Sequence, residues 1–167
     1  MSFQELKNRG IWDRIFDWDE SAIQESNGIK RFILRWIAFN GLYSALYSMV
    51  HGQENTENAS DEIKLRHFFI NLILKNEIPA EEIYSEGFKE LLKKEIRNKK
   101  GSIGKLLKNL DTDIDIKEKS RDIIEIAYKI RCRLFHSEKD TLYDINESLC
   151  EVVDNIIAKI LNYIKSI

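Results

Sequence analysis

The residues Tyr128-Lys-Ile-Arg-Cys-Arg-Leu-Phe-His136 form the densest polar cluster next to an apolar surface in this chain. Arg131 shares a helical stripe with Ile124, Tyr128 and Phe135, a position where a guanidinium is costly unless it meets an acid, a phosphate or another subunit. His136 follows five residues later, a separation that in an unbroken helix turns it roughly 140° away from Arg131. The two converge only where the helix frays at His136 or across a dimer. One chemistry open to such a pair is the cleavage of RNA. RNA is cut without a metal when its own 2′-hydroxyl attacks the adjacent phosphorus, which needs a proton carrier near neutral pH and a fixed cation for the phosphate. Histidine suits the first task and arginine, with two parallel donors, the second. The structural alternative has His136 donating to a late helix carbonyl and Arg131 paired with Asp122 or Glu125.

The pair needs a scaffold. Of 167 residues 43% are apolar and 32% charged, with one Pro and seven Gly, a composition that excludes disordered and membrane classes and lacks the turn residues of all-β folds. The expectation is an all-α single domain over 1–167, a helical bundle of four to five main helices. A helix capped by Ser21 is expected to run to about Val50, with Asn27-Gly28 as a possible break in its first turns. Its apolar residues Phe32, Trp36, Phe39, Tyr43 and Leu46 recur every three or four positions and place it at the centre. His51 to Ser60 reads as a loop, and Ser60-Asp61 starts a helix ending before Pro79. Residues 79–115 read as an irregular insertion of short pieces around Gly87, Gly101 and Gly104. From about Ile116 a long helix presents Ile123, Ala127, Ile130 and Leu134, and after the polar stretch Ser137–Asp140 a box at Asp144 to Glu147 caps a last helix bearing Leu149 to Ile164.

Charge is uneven. The net is −2, yet Lys89 to Lys108 carries eight basic residues against Glu90 and Glu95. Lys93, Lys94, Arg97, Lys99 and Lys100, with Arg133 and Lys139 near the pair, are candidate RNA contacts, and a solvated helical face is the alternative. Asn40, among aromatics, is a candidate supporting group. His51 and His67 read as isolated, and Trp12, Trp18 and Trp36 as core. No metal site or cofactor is implied. Cys132 and Cys150 read as reduced thiols, and the absence of a leader or spanning segment points to a cytoplasmic protein with no membrane partner.

Arg131 followed after four residues by His136, at the end of a long helix, resembles the signature of the HEPN superfamily. Leu134-Phe-His-Ser-Glu-Lys-Asp140 is similar to a Leu-Phe-His-Gly segment common there, and Arg31-Phe-Ile-Leu-Arg-Trp-Ile-Ala-Phe-Asn-Gly-Leu-Tyr43 resembles its early core helix. The resemblance implies a HEPN-like bundle that forms a homodimer with two Arg131/His136 pairs facing one cleft. It also implies a metal-independent endoribonuclease, of a kind that acts as a toxin held by an antitoxin or other regulatory protein partner, or in phage defence. Cys132 and Ser137 stand where active members often carry a polar residue and a glycine. They carry the alternative, a catalytically silent HEPN-like module that binds RNA, a nucleotide or a protein.

Overall fold

The computed structural model describes residues 3–8, 10–97, 99–135 and 145–167. Those residues form helices and no strand: α1 (Phe3–Lys7), α2 (Ile11–Gln24), α3 (Gly28–His51), α4 (Gln53–Asn58), α5 (Asp61–Phe68), α6 (Glu86–Glu95), α7 (Gly101–Asn109), α8 (Ile116–Phe135) and α9 (Glu147–Ser166). The all-α class is as expected. Nine α-helices among the described residues replace the expected four to five, because Gly and polar clusters interrupt the periodic stretches more often than the apolar pattern suggests.

α3 is the central element. Its apolar residues encircle the helix, so Phe32, Trp36, Phe39, Leu42, Tyr43 and Leu46 are all buried, and α2, α5 and α9 pack around it. An edge-to-face ladder runs along it, with ring centroids at 6.0 Å for Phe32–Trp36, 5.6 Å for Trp36–Phe39 and 5.4 Å for Phe39–Tyr43. Phe68 of α5 continues the ladder at 5.2 Å from Phe39. α9 lies along α3 and buries Val153, Ile156, Ile157, Ile160, Leu161 and Ile164. The segment expected to be an insertion joins the same core through Leu92, Ile96, Ile103, Leu107 and Leu110.

Several boundaries differ from the periodic reading. Ser21 does not cap α3; it lies inside α2, where its hydroxyl donates to the Asp17 carbonyl at 2.8 Å, and Asn27 caps α3 by accepting from the Lys30 amide at 3.0 Å. The stretch read as a loop after His51 contains α4. Ser60 caps α5 as expected, taking the Ile63 amide at 3.3 Å. α5 then widens into a π-turn over Phe69–Ile73, closed by the Leu74 amide on the Phe69 carbonyl at 3.2 Å, which lets Phe68, Phe69, Leu72 and Ile73 all face inward. Asn146, rather than the Asp144 box, caps α9 at 2.8 Å; Asp144 lies outside the described residues. Glu147 is thereby free to accept the Gly28 amide at 2.7 Å, which ties the start of α3 to the start of α9. A Cβ on Gly28 would come within 2.7 Å of the Glu151 Cγ and 2.9 Å of the Glu147 Cγ, so a larger residue here would have to push both glutamates aside. Trp36 is core, but Trp18 is 44% exposed.

Beneath this joint lies an ion network that apolar periodicity hides. Arg35, 5% exposed in the middle of α3, donates from Nη1 to Asp19 at 2.6 Å and from Nε to Asp154 at 2.7 Å. Arg31, one turn earlier, reaches the other Asp154 oxygen at 3.1 Å and Glu151 at 3.3 Å. The network links α2, α3 and α9 at their shared seam. Burial pushes the Asp19 carboxyl above its ordinary range, and the Arg35 charge opposes that shift.

No helix among the described residues is long and apolar enough to cross a membrane.

Candidate functional site

Arg131 stands near the C-terminal end of α8, one turn before its last residue Phe135, and two neighbours hold its guanidinium. Its Nη2 lies 3.6 Å from Asp61 Oδ2, and its Cζ sits 5.1 Å from the centroid of the Phe135 ring. Its Nε is buried and has no hydrogen-bond partner among the described residues. A buried N–H is costly when it stays unpaired, and this one has the geometry of a donor to an anionic oxygen. The acids expected at helical spacing are occupied: Asp122 takes Arg121 at 3.0 Å and Asn109 at 3.2 Å, and Glu125 takes Lys129 at 3.3 Å. The first residue of α5, far away in sequence, supplies the partner instead.

Two phenols and an amide surround this pair. Asn40, half-buried on α3, donates its Nδ2 to the Tyr43 hydroxyl. Burial raises the Tyr43 pKa above its ordinary value, with the Asp61 charge adding to the shift and Arg131 opposing it. Tyr128, a turn before Arg131, is pushed up to about 12 by burial and by its contact with the Cys132 side chain. Both phenols therefore stay neutral across the physiological range and offer O–H groups rather than anions. Tyr128 also leans on Trp36, ring centroids 6.3 Å apart. Asn40 acts on the site through Tyr43, a link that a helical spacing of three residues makes available.

His136 and Lys139 lie outside the described residues. Among the other expected RNA contacts, Lys93 is held by both oxygens of Asp111 at 2.8 Å, and Lys94 is exposed with Glu95 at 3.9 Å. Lys99 and Lys100 are exposed. Arg97 and Arg133 line one shallow depression, so the basic segment meets the end of α8 at this point. Among the described residues no group of three or more His, Cys, Asp or Glu side chains is arranged to hold a metal ion, and the cysteines are unpaired.

The two histidines read as isolated are neighbours. His51 ends α3 and His67 lies in α5, their ring centroids 5.1 Å apart, with Tyr47 stacked on His51 at 4.2 Å and edge-on to His67 at 5.2 Å. The His67 Nδ1 is buried without a partner among the described residues. Burial lowers the His67 pKa below 6.5, and the nearby charges of His51 and Lys75 lower it further. The unfolded chain therefore binds a proton that the folded chain refuses, and stability should fall as pH drops below about 6.5 and level off below the folded pKa. Chemical denaturation from pH 7.5 to 5 should show this loss, and His67→Gln should flatten it. An unchanged pH slope in that variant would remove His67 as its source.

The chain matches no family model, no curated protein and no solved structure.

Proposed function

We propose that this protein is a metal-independent endoribonuclease of HEPN type, acting as a cytoplasmic homodimer with Arg131 as phosphate clamp and His136 as proton carrier. One observation carries the reading: a guanidinium held in place by Asp61 and Phe135 whose buried Nε has no partner among the described residues. A guanidinium N–H with no protein partner among the described residues is a donor that a phosphate oxygen would satisfy. In the proposed reaction the RNA 2′-oxygen gives up its proton as it attacks the neighbouring phosphorus, the bond from phosphorus to the 5′-oxygen breaks, and that oxygen is protonated as it leaves. His136 is suited to move a proton at one of these oxygens, while Arg131 balances the charge gathering on the non-bridging ones. A second copy supplies the second pair. A role as a toxin or in phage defence, restrained by a regulatory protein, belongs to the same proposal.

The Asp61–Arg131 pair favours a second reading, because it already offsets part of the charge a phosphate would need. On that reading the chain is a silent module that binds RNA or a partner.

The test is purified protein incubated with mixed single-stranded RNA in the presence of a chelator. The expected result is cleavage to fragments ending in 2′,3′-cyclic phosphate, abolished by a 2′-deoxy substitution at the cut, from a species whose light scattering gives twice 19.7 kDa. Binding of RNA without cleavage would hand the argument to the silent module.

A further inference from the structure

Between α5 and α8 lies a cleft of about 300 Å³, at the small end of ligand pockets. Its floor is apolar, formed by Leu65, Phe69 and Ile124, each less than a tenth exposed, and Tyr128 contributes a flat wall. Carboxylates and cations rim it. Of the cations, Arg121 is paired with Asp122 and Glu118, and Lys129 with Glu125. Arg66 is exposed, and its side chain makes no ion pair or hydrogen bond among the described residues. Of the acids, Glu62 likewise has no ion pair among them.

The position of the cleft matters more than its size. Tyr128 lies three residues, roughly 4.5 Å of helix rise, before Arg131. Glu62 is adjacent in sequence to Asp61, which holds the Arg131 guanidinium. The cleft therefore ends where the Arg131–Asp61 pair begins, on both of the helices that form it. A nucleotide has the matching layout, with a flat base on one side of a sugar and an anionic phosphate on the other. We propose that this cleft is a nucleobase subsite, seating the base of an RNA nucleotide whose phosphate lies on Arg131 and favouring bases that carry an exocyclic amino group. The proposal rests on the ribonuclease reading and adds its substrate preference. Stacking on Tyr128 and contact with the apolar floor would hold any base, because every base has a π-face. The preference comes from Glu62 and Glu125, since an ionised carboxylate only accepts hydrogen bonds, and the amino groups of adenine, cytosine and guanine donate where the corresponding edge of uracil offers a carbonyl. Arg66 at the mouth supplies a charge to the following phosphate.

The test uses the full chain in a chelator and two probes: the mononucleotides AMP, CMP and UMP, and 2′-O-methyl oligonucleotides of adenine or of uracil, which cannot be cut. Calorimetry should give AMP and CMP about tenfold tighter than UMP, a difference the size of one good hydrogen-bonded contact. Chemical-shift changes should centre on Leu65, Phe69, Ile124 and Tyr128. Glu62→Gln with Glu125→Gln should abolish the preference, because an amide donates as well as accepts. Arg66→Glu should weaken oligonucleotides of either base, and Arg131→Ala should weaken both bases alike while leaving the preference. Circular dichroism checks that each variant is folded. If the mononucleotides bind with this preference while RNA is neither bound nor cut, the cleft is a free-nucleotide site and the ribonuclease reading falls. If RNA is cut but the bases bind equally, or the double Gln variant keeps the wild-type preference, the subsite is refuted and the ribonuclease stands.

Discussion

His136→Ala should reduce RNA cleavage by about 10²–10⁴-fold, the usual contribution of a positioned acid or base, while leaving the melting temperature in place. Arg131→Ala should cost about 10²–10³-fold, in the range of one donor aimed at developing charge. Its structural cost is small, because the partner Asp61 is 26% exposed and returns to water when the guanidinium is removed. Arg131→Lys should also fail. An ammonium on a flexible stem cannot keep one donor on Asp61, lie against Phe135 and present a second donor at the place of Nε. Cleavage rates under single-turnover conditions, set against thermal melts of the same samples, check the whole set. A His136→Ala chain that cuts as fast as wild type would assign the activity to another site or to a contaminant.

A second large effect is expected far from that site. Arg35→Leu should destabilise the fold by about 3–5 kcal/mol, because it leaves Asp19 and Asp154, both nearly inaccessible, without their shared counter-charge. For a chain of this length that corresponds to a fall of roughly 6–20 °C in melting temperature. Arg31 cannot compensate, since it reaches Asp154 but has no contact with Asp19. The pH dependence has a definite sign. The Asp19 carboxyl is already raised by burial and held down by Arg35, so its anion costs stability above the ordinary carboxylate range, and removing Arg35 enlarges that cost. The deficit of the variant should therefore be greatest near neutral pH and shrink as Asp19 takes a proton on acidification. Replacing Asp19 and Asp154 together with Arg35 by apolar residues should recover most of the loss, as buried ion pairs exchanged whole for well-packed side chains commonly do. Urea titrations at pH 7 and pH 4.5 distinguish the cases; equal deficits at both values would contradict the role given to Asp19.

Periodicity identified the helical class and the inward faces of α3, α8 and α9, because those helices are long and their burial follows from spacings of three and four. It located the start of α8 at Ile116 but misplaced the start of α3 and the cap of α9. Ser21 and Asn27 are equally good caps by type, and only the tie between Gly28 and Glu147 shows where α3 begins. A polar stretch such as Gln53–Asn58 has no apolar stripe, so its helix, supported by side-chain bonds from Asn55 and Thr56 to backbone carbonyls a turn earlier, has no periodic signal.

At the candidate site, residue type and local spacing were enough to single out Arg131 as a cation in need of a partner, to mark Asn40 as a polar group among aromatics, and to mark the basic segment; that Asn40 bonds Tyr43 came from the structure. Which acid meets Arg131, that His51 and His67 share one aromatic cluster, that Arg35 bridges two buried aspartates, and that a cleft opens beside Tyr128 are matters of how helices cross. The partners are separated by between 16 and 119 residues, and nothing in a helical repeat records the angle or register at which one helix lies on another. Residue type and periodicity marked most of the apolar side chains that leave water and the residues that could do chemistry, though not the exposure of Trp18 or the burial of Arg35, Asp19 and Asp154. Tertiary packing alone decided which of them meet, because a contact between distant helices depends on the fit of whole surfaces rather than on any local pattern.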